Sequence, residues 1–513
     1  MEDLTHETQL QLSLEETKPE DKEEGYPKQF PRFTRKLLET IPGLFTWFMV
    51  LSPFIVALLK IPQVIAFVVA FLSMYWSYRA VKFSVGLMIG YKRMIRDLNT
   101  DWIGRINKDP ELSKRFKELK YLWICPVVKE DMHVLRPSFQ ALSNSSVGAE
   151  KISVVMAIEE RFKDEQLENL KLLKEEFGDK FREIVYYVHP KNLPGEVVGV
   201  KSANINWAAR HFAKLIKSRG EKLENYLLDT SDSDQRAHKK YLAAITYKFL
   251  TDPDPMHKFY ATAVHTFNNN IWNVPTIIRT QSQILTLGVL QEWVFAKKMR
   301  EAWSAYVVNF KTVDEVGYWP PDVGNDDTMF HWSAAVHYKG NFSGEEVYIP
   351  THNDAVENEN FIKTHKSLYK QQHRWGWGGI TFPTTAARLL VNKEIPIMKK
   401  LDIIWAIFYK QVLFLTLVYI ITLALPIMNI ISDEYNYSSY SYNLPQIISY
   451  LLSGLLILNL PTIVIKRKIT PPPEDWPIWR YLWDIVEVLL TFVNALSFTF
   501  IPYIQAYTEM MVG

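Results

Sequence analysis

Two kinds of patterning divide the chain. Uncharged apolar stretches occupy 41–59, 61–78, 411–431, 443–465 and 488–508, grouped near the two ends. A hydrocarbon core of about 30 Å takes about 20 helical residues, and a crossing segment must satisfy its own backbone. Each stretch is therefore read as a membrane helix. Prolines 42, 53, 62, 426, 445, 461 and 502 fall in or beside them, where bundle neighbours tolerate kinks. Between the two groups the runs shorten. "YLWICPVV" (121–128), "KISVVMAI" (151–158), "REIVYYVH" (182–189) and "NYLLDT" (225–230) are strand-like, and 163–177 and 202–219 read as helices. This alternation predicts an α/β domain with a mixed, mainly parallel sheet flanked by transmembrane helices. Ligands in such sheets sit beyond the carboxyl ends of the strands. Residues 83–100 mix apolar and basic positions and predict an amphipathic helix lying on the membrane surface.

Charge orients this plan. Lys28, Arg32, Arg35 and Lys36 precede the first stretch, and Arg79, Lys82, Lys92, Arg93 and Arg96 follow the second. The loop 432–443 carries no Lys or Arg, whereas "KRK" at 466–468 follows the fourth stretch. The positive-inside rule puts the N-terminus and the middle region in the cytoplasm and the 432–443 loop outside. Five crossings then leave the C-terminus outside. Residues 1–28 are acidic and polar, which predicts a disordered tail rather than a cleavable signal peptide. A net charge of +2 over 513 residues implies no nucleic-acid partner. The single cysteine, Cys125, excludes an intrachain disulfide and a cysteine zinc cluster.

Four clusters carry candidate chemistry. In "LLDTSDSDQRAHKKYL" (227–242), Asp232 and Asp234 follow a strand, a spacing able to hold a hard divalent ion that keeps waters and phosphates as further ligands. An Asp/Ser-rich turn is the competing reading. Asp229 is close by, and His238 is either a further ligand or an exposed turn residue. In "PPDVGNDDTMFHW" (320–332), Asp326 and Asp327 open a helix, as N-terminal acids favoured by the dipole or as a general base. In "YKQQHRWGWGG" (369–379), Arg374 suits bidentate phosphate contacts, Trp375 and Trp377 suit sugar faces or an interfacial belt, and three glycines permit close backbone approach. In "GVKSANINWAAR" (199–210), Lys201 stands at a helix start where it can reach a phosphate, and Asn204 caps or binds.

Together these motifs resemble the membrane-embedded family 2 glycosyltransferases, the cellulose, chitin and hyaluronan synthase-like group. Its K-x-x-N, D-x-D, T/E-E-D-like acid and Q-x-x-R-W motifs match Lys201 to Asn204, Asp232 to Asp234, Asn325 to Asp327, and Gln371 to Trp375. The resemblance covers about 118–400 plus the membrane layout. It implies a GT-A-like nucleotide-sugar-binding domain and an inverting, metal-dependent reaction. Asp232 and Asp234 would hold Mg²⁺ or Mn²⁺, and Asp327 would be the base. Lys201, Asp232, Gln371 and Arg374 would contact the donor, with a UDP-sugar expected first, and Asp326 and Trp375 would face the acceptor. Two departures stand out: Glu159 and Glu160 replace the usual base-contacting aspartate at the second strand's end, and the T-E-D is Asn-Asp-Asp.

The implied layout is a tail and basic segment (1–40), two membrane helices (41–82), an interfacial region (83–117), a cytoplasmic catalytic domain (118–365), an interfacial segment (366–400) and about three further membrane helices (401–513). The product is a growing polysaccharide, with a single-transfer glycolipid synthase as the alternative and an inactive scaffold or transporter as the second. A multi-pass protein of the plasma membrane follows, with the bilayer as a partner. "FNNNIWNVPTIIR" (267–279) either faces the acceptor or is a turn beside a surface helix, and "THNDAVENENF" (351–361) is expected to cover the donor. Lys410 and Gln411 line a polar path or lie at the interface. No sensor domain is expected after the last apolar stretch.

Overall fold

A computed structural model describes residues 26–27, 30–196, 199–296, 300–322, 324–455, 459–487 and 490–513. The predicted acidic tail at 1–25, and Lys28, lie outside the described residues.

Seven strands form one sheet: β1 (Lys120–Val127), β2 (Ile152–Glu159), β3 (Glu183–His189), β4 (Tyr226–Asp229), β5 (Lys258–Thr262), β6 (Tyr306–Asn309) and β7 (Ser343–Val347). Their order is β3-β2-β1-β4-β6-β5-β7. The first four run parallel, β6 is antiparallel to β4 and β5, and β7 is parallel to β5. Every residue of β2 and all but the first of β1 are buried. Helices on both faces leave no polar side, so these strands read as unbroken apolar runs. The predicted helices appear as Lys163–Phe177 and Lys201–Ser218. The fold is α/β with a mostly parallel sheet, as the alternation predicts.

Among the described residues, three helices are long and apolar enough to cross a membrane: Arg32–Leu58, Pro62–Asn99 and Ile397–Ile431. The other two predicted stretches, 443–465 and 488–508, each contain residues outside the described set. The separate surface helix expected at 83–100 is instead the second half of Pro62–Asn99. At 1.5 Å per residue its 38 residues extend about 57 Å, well beyond a bilayer core. Its far end is tied to the sheet domain, where buried Asp97 accepts the Tyr348 N–H at 3.1 Å.

The C-terminal helix Ile501–Val512 also departs from the expectation. Trp47 donates to Thr508 at 2.9 Å, and Lys36 Nζ lies 3.5 Å from the Met510 carbonyl. Gly513 therefore sits at the Lys36 end of the first apolar helix. The Glu434–Lys60 pair, at 3.1 Å, marks the opposite end. The C-terminus thus stands at the same end of that helix as Lys36, whereas the expectation put it at the other end. The C-terminal helix's polar positions hold it there: Gln505 accepts from Tyr369, Thr508 accepts from Trp47, and Glu509 pairs with His373.

Candidate functional site

The site lies past the carboxyl ends of the parallel strands. At the end of β4, Asp229 accepts the Ser231 N–H at 2.9 Å, turning the chain so that Asp232 and Asp234 follow. Lys201 is the first residue of its helix. Its Nζ donates to the Thr230 carbonyl at 3.1 Å and to Asp232 Oδ1 at 2.6 Å, while Ser304 donates to Asp232 Oδ2 at 2.7 Å. Three residues on, Asn204 Nδ2 donates to the Ala157 carbonyl of β2 at 2.7 Å. Asn204 thus pins the helix start to the sheet rather than capping it.

Asp234 is held by two loops. The Asp354 N–H donates to its Oδ2 at 2.7 Å, and Asn269 donates to its carbonyl at 3.0 Å and to that of His352 at 3.3 Å. A small sheet of Arg236–Ala237, Thr351–His352 and His265–Thr266 joins the same segments. In 267–279, Asn268 bonds Ile469 and Thr470, Asn270 bonds Ala355, and Trp272 donates to the Pro471 carbonyl. These groups are engaged as struts. His238 accepts the Lys240 N–H at 3.2 Å within its own turn, which is the turn reading.

The second acid pair arrives on a helix. Asp326 and Asp327 are the first two residues of Asp326–His337. Asp327 Oδ1 accepts its neighbour's Thr328 N–H at 2.6 Å. Asp326, 7% exposed, lies 4.0 Å from Lys201 Nζ, and its Oδ2 has no hydrogen-bond partner. One ammonium therefore stands between Asp232 and Asp326, which are far apart along the chain. Arg374, in the last turn of Phe361–Gly376, is near enough for its charge to favour the ionised forms of both.

The glycines after Arg374 are explained by close approach. A Cβ on Gly378 would overlap the Asn325 amide, which directly precedes the acid pair. One on Gly379 would come within 2.6 Å of the Tyr507 ring, and one on Gly376 within 2.9 Å of Ala506. His373 and Trp377 both bond Glu509, at 2.9 and 3.2 Å. The segment is thus fastened to the C-terminal helix on one side and to the acid helix on the other. Trp375 and Gln371 are half-buried beside it.

Electrostatics separate the four carboxyls. Burial raises Asp232, but Lys201, Ser304 and Arg374 overcome that and hold it below the usual carboxylate range. Burial and then the Asp232 charge push Asp234 up to about 7. Burial and then Asp326 push Asp327 up to about 7. Asp326 is also raised, chiefly by burial, and burial lifts Asp229 to about 6. For Lys201, burial works against the charge, yet Asp232 and Asp326 keep the ammonium more basic than usual.

A shallow cleft at the ends of β2 and β3, beside the start of the Lys201 helix, is lined by Glu159, Glu160, Arg161, His189, Glu196 and Val200. Glu159 is buried and paired with Arg161, whose Nε donates to it at 2.9 Å. Glu160 accepts the Lys191 N–H at 2.8 Å, and His189 meets Glu196 at 2.6 Å. Arg161, His189, Glu196 and Ser304 were not singled out from the sequence. Only Arg161, two residues after Glu159, left a local signal.

Among the described residues, no group of three or more His, Cys, Asp or Glu is placed to hold a metal ion. What fits is narrower. Asp232 and Asp234 crowd their charges, a repulsion that a divalent cation relieves, and its remaining ligands would be phosphate and water.

No family model matches the chain, and no curated protein matches it. Solved structures do. A mannosyltransferase from Pyrobaculum calidifontis, PcManGT, in complex with GDP-Man and Mn²⁺, is 14% identical, with a TM-score of 0.43 over 85% of this chain and 98% of that one. Residues 1–349 of S. aureus TarS, in complex with UDP-GlcNAc, are 12% identical, with a TM-score of 0.33 over 76% of this chain and 91% of that one.

Proposed function

We propose that this chain is a membrane-bound, inverting glycosyltransferase of the family 2 type, using a nucleotide-sugar donor at the cytoplasmic face. One observation carries the reading: carboxylates from 232 and 326 share the Lys201 ammonium, within reach of the Arg374 charge, past the ends of parallel strands. In this reading 118–365 is the catalytic domain and the nucleoside lies in the cleft at Glu159 and Glu160.

Asp327 accepts the proton of an acceptor hydroxyl as its oxygen bonds to the anomeric carbon from the face opposite the leaving phosphate. The bond to that phosphate oxygen breaks, and the configuration inverts. Mg²⁺ or Mn²⁺, held by Asp234 with Asp232, would supply charge neutralisation to the diphosphate. Arg374 and Lys201 add fixed positive charge where the leaving group becomes more negative. Gln371 flanks the donor, while Asp326 and Trp375 face the acceptor. The neutral form of Asp327 favoured by its burial must first lose its proton, and the Lys201 charge favours the ionised form.

The acceptor proposed is a growing glycan, and a UDP-sugar is the first donor to test. Membranes carrying the chain are incubated with isotope-labelled nucleotide sugars, with and without EDTA, and products are read by mass spectrometry. An EDTA-sensitive ladder supports polymer synthesis. A single added hexose on a lipid moves the assignment to a glycolipid synthase. No turnover across the donor panel overturns the enzymatic reading in favour of a scaffold or transporter.

A further inference from the structure

Lys410 is the one charged residue between Ile403 and Ile431, and its surroundings explain why. It lies in a π-helical turn, Tyr409–Leu413, inside Ile397–Ile431. A π turn inserts an extra residue, and such turns occur frequently at functional sites. Lys410 Nζ is 3.3 Å from Glu292 and 3.3 Å from Glu301. Glu301, 4% exposed, accepts the Trp332 indole N–H at 2.8 Å. Trp332, 2% exposed, belongs to the helix whose first two residues are Asp326 and Asp327. The chain of contacts thus runs from an apolar helix through one ammonium, one carboxylate and one indole to the acid helix.

The same π turn makes two other connections. The Gln411 carbonyl accepts the Tyr507 hydroxyl, and the Gln411 side chain lies 3.7 Å from the point where a Gly378 Cβ would stand. Tyr409 accepts from Arg79 of the preceding apolar helix at 2.5 Å. A single turn therefore touches the acid helix through Lys410, the segment carrying Arg374 through Gln411, and a second apolar helix through Tyr409.

We infer that Lys410 is a positioning residue: through Glu301 and Trp332 it sets the acid helix, and hence Asp327, against the half of the pocket carried by the sheet. This deepens the glycosyltransferase reading and rests on it. The ion pairs of Lys410 go to Glu292 and Glu301, on the side of the acid helix rather than of the turn carrying Asp232 and Asp234, so its loss should spare donor binding. A misplacement of about 1 Å at a reacting group is enough to cost about 100-fold in rate.

The test uses the full chain in lipid nanodiscs. Lys410→Met leaves Glu301 buried without its cation, so Lys410→Met/Glu301→Gln serves as a second variant that removes both charges. Two readouts are taken. The first is transfer kinetics: the inference expects kcat to fall about 10- to 100-fold in Lys410→Met with donor KM within about twofold. Lys410→Arg should recover most of the rate. The second is hydrogen exchange of the peptide spanning 324–337, which needs no turnover. It should quicken in Lys410→Met and in the double variant, while 201–218 stays as in the parent. Unchanged exchange at 324–337 overturns the positioning role, whether or not the chain proves to be an enzyme. So does a loss of kcat and donor affinity in equal measure, which a general loss of structure would give. A parent chain with no turnover but with the expected exchange pattern would fail the glycosyltransferase reading alone.

Discussion

Asp232 and Asp234 stand on a turn of the sheet domain, whereas Asp326 and Asp327 open a helix braced against apolar helices. Asp326 is buried and the other three are partly buried, and one member of each pair, Asp232 and Asp326, lies beside Lys201, yet the pairs are held by different means. The turn is fixed by polar struts: Lys201, Ser304 and Asn269 side chains and the Asp354 amide. The helix is fixed by packing and by remote polar contacts, with Asn325 against Gly378 and Trp332 on Glu301. The struts also place positive charge beside Asp232, which is why it alone of the four is held low. The helix-borne pair has less local compensation, and burial dominates. One half of the pocket is therefore poised electrostatically and the other mechanically.

Asp327→Asn cuts deepest into this comparison. Transfer should fall about 10²- to 10⁴-fold, the usual contribution of a general base. On the proposed reading the turn half carries the donor, so donor affinity should change little by calorimetry. Near-normal product formation would remove the base assignment.

Gly378→Ala probes the mechanical half without touching a carboxylate. The added methyl must displace the Asn325 amide, and overpacking of this kind costs about 1–3 kcal/mol. A lower unfolding midpoint, with kcat falling more than donor binding, is the expected result. Unchanged kcat would show that the segment does not steer the acid helix.

The smallest effect is a pH dependence of stability in the metal-free chain. Asp234 and Asp327 titrate near 7 when folded, against about 3.9 unfolded. Between those values the folded state keeps protons that the unfolded state has released, so stability falls as pH rises from about 4 to about 7. Thermal midpoints across that window should decline, and Asp327→Asn should flatten the decline. Mn²⁺ added at the upper end should restore stability through the turn half. A midpoint that climbs with pH would contradict these shifts.

Much of this was legible in advance, for identifiable reasons. Parallel strands buried on both faces must be apolar throughout, so β1 and β2 announced themselves, and β4 pointed straight at Asp232. The glycines after Arg374 announced a close approach but not its target. The asparagines at 268–270 left two readings open: amide side chains that suit a hydroxyl suit a backbone carbonyl equally well, and only the fold shows which is in reach. The last helix also needed the fold: its polar positions Gln505, Thr508 and Glu509 bond Tyr369, Trp47 and His373, partners that a hydropathy average along the chain does not show.

Local composition alone determined the apolar helices, the α/β alternation and the residue types at each motif, since hydrophobic period and backbone chemistry act over neighbouring positions. Tertiary structure decided which carboxylates share an ammonium, which of them are held ionised, and that Lys410 reaches the acid helix through Glu301 and Trp332. Those outcomes depend on distances between segments remote along the chain, and electrostatic and packing energies follow distance in space rather than separation in sequence.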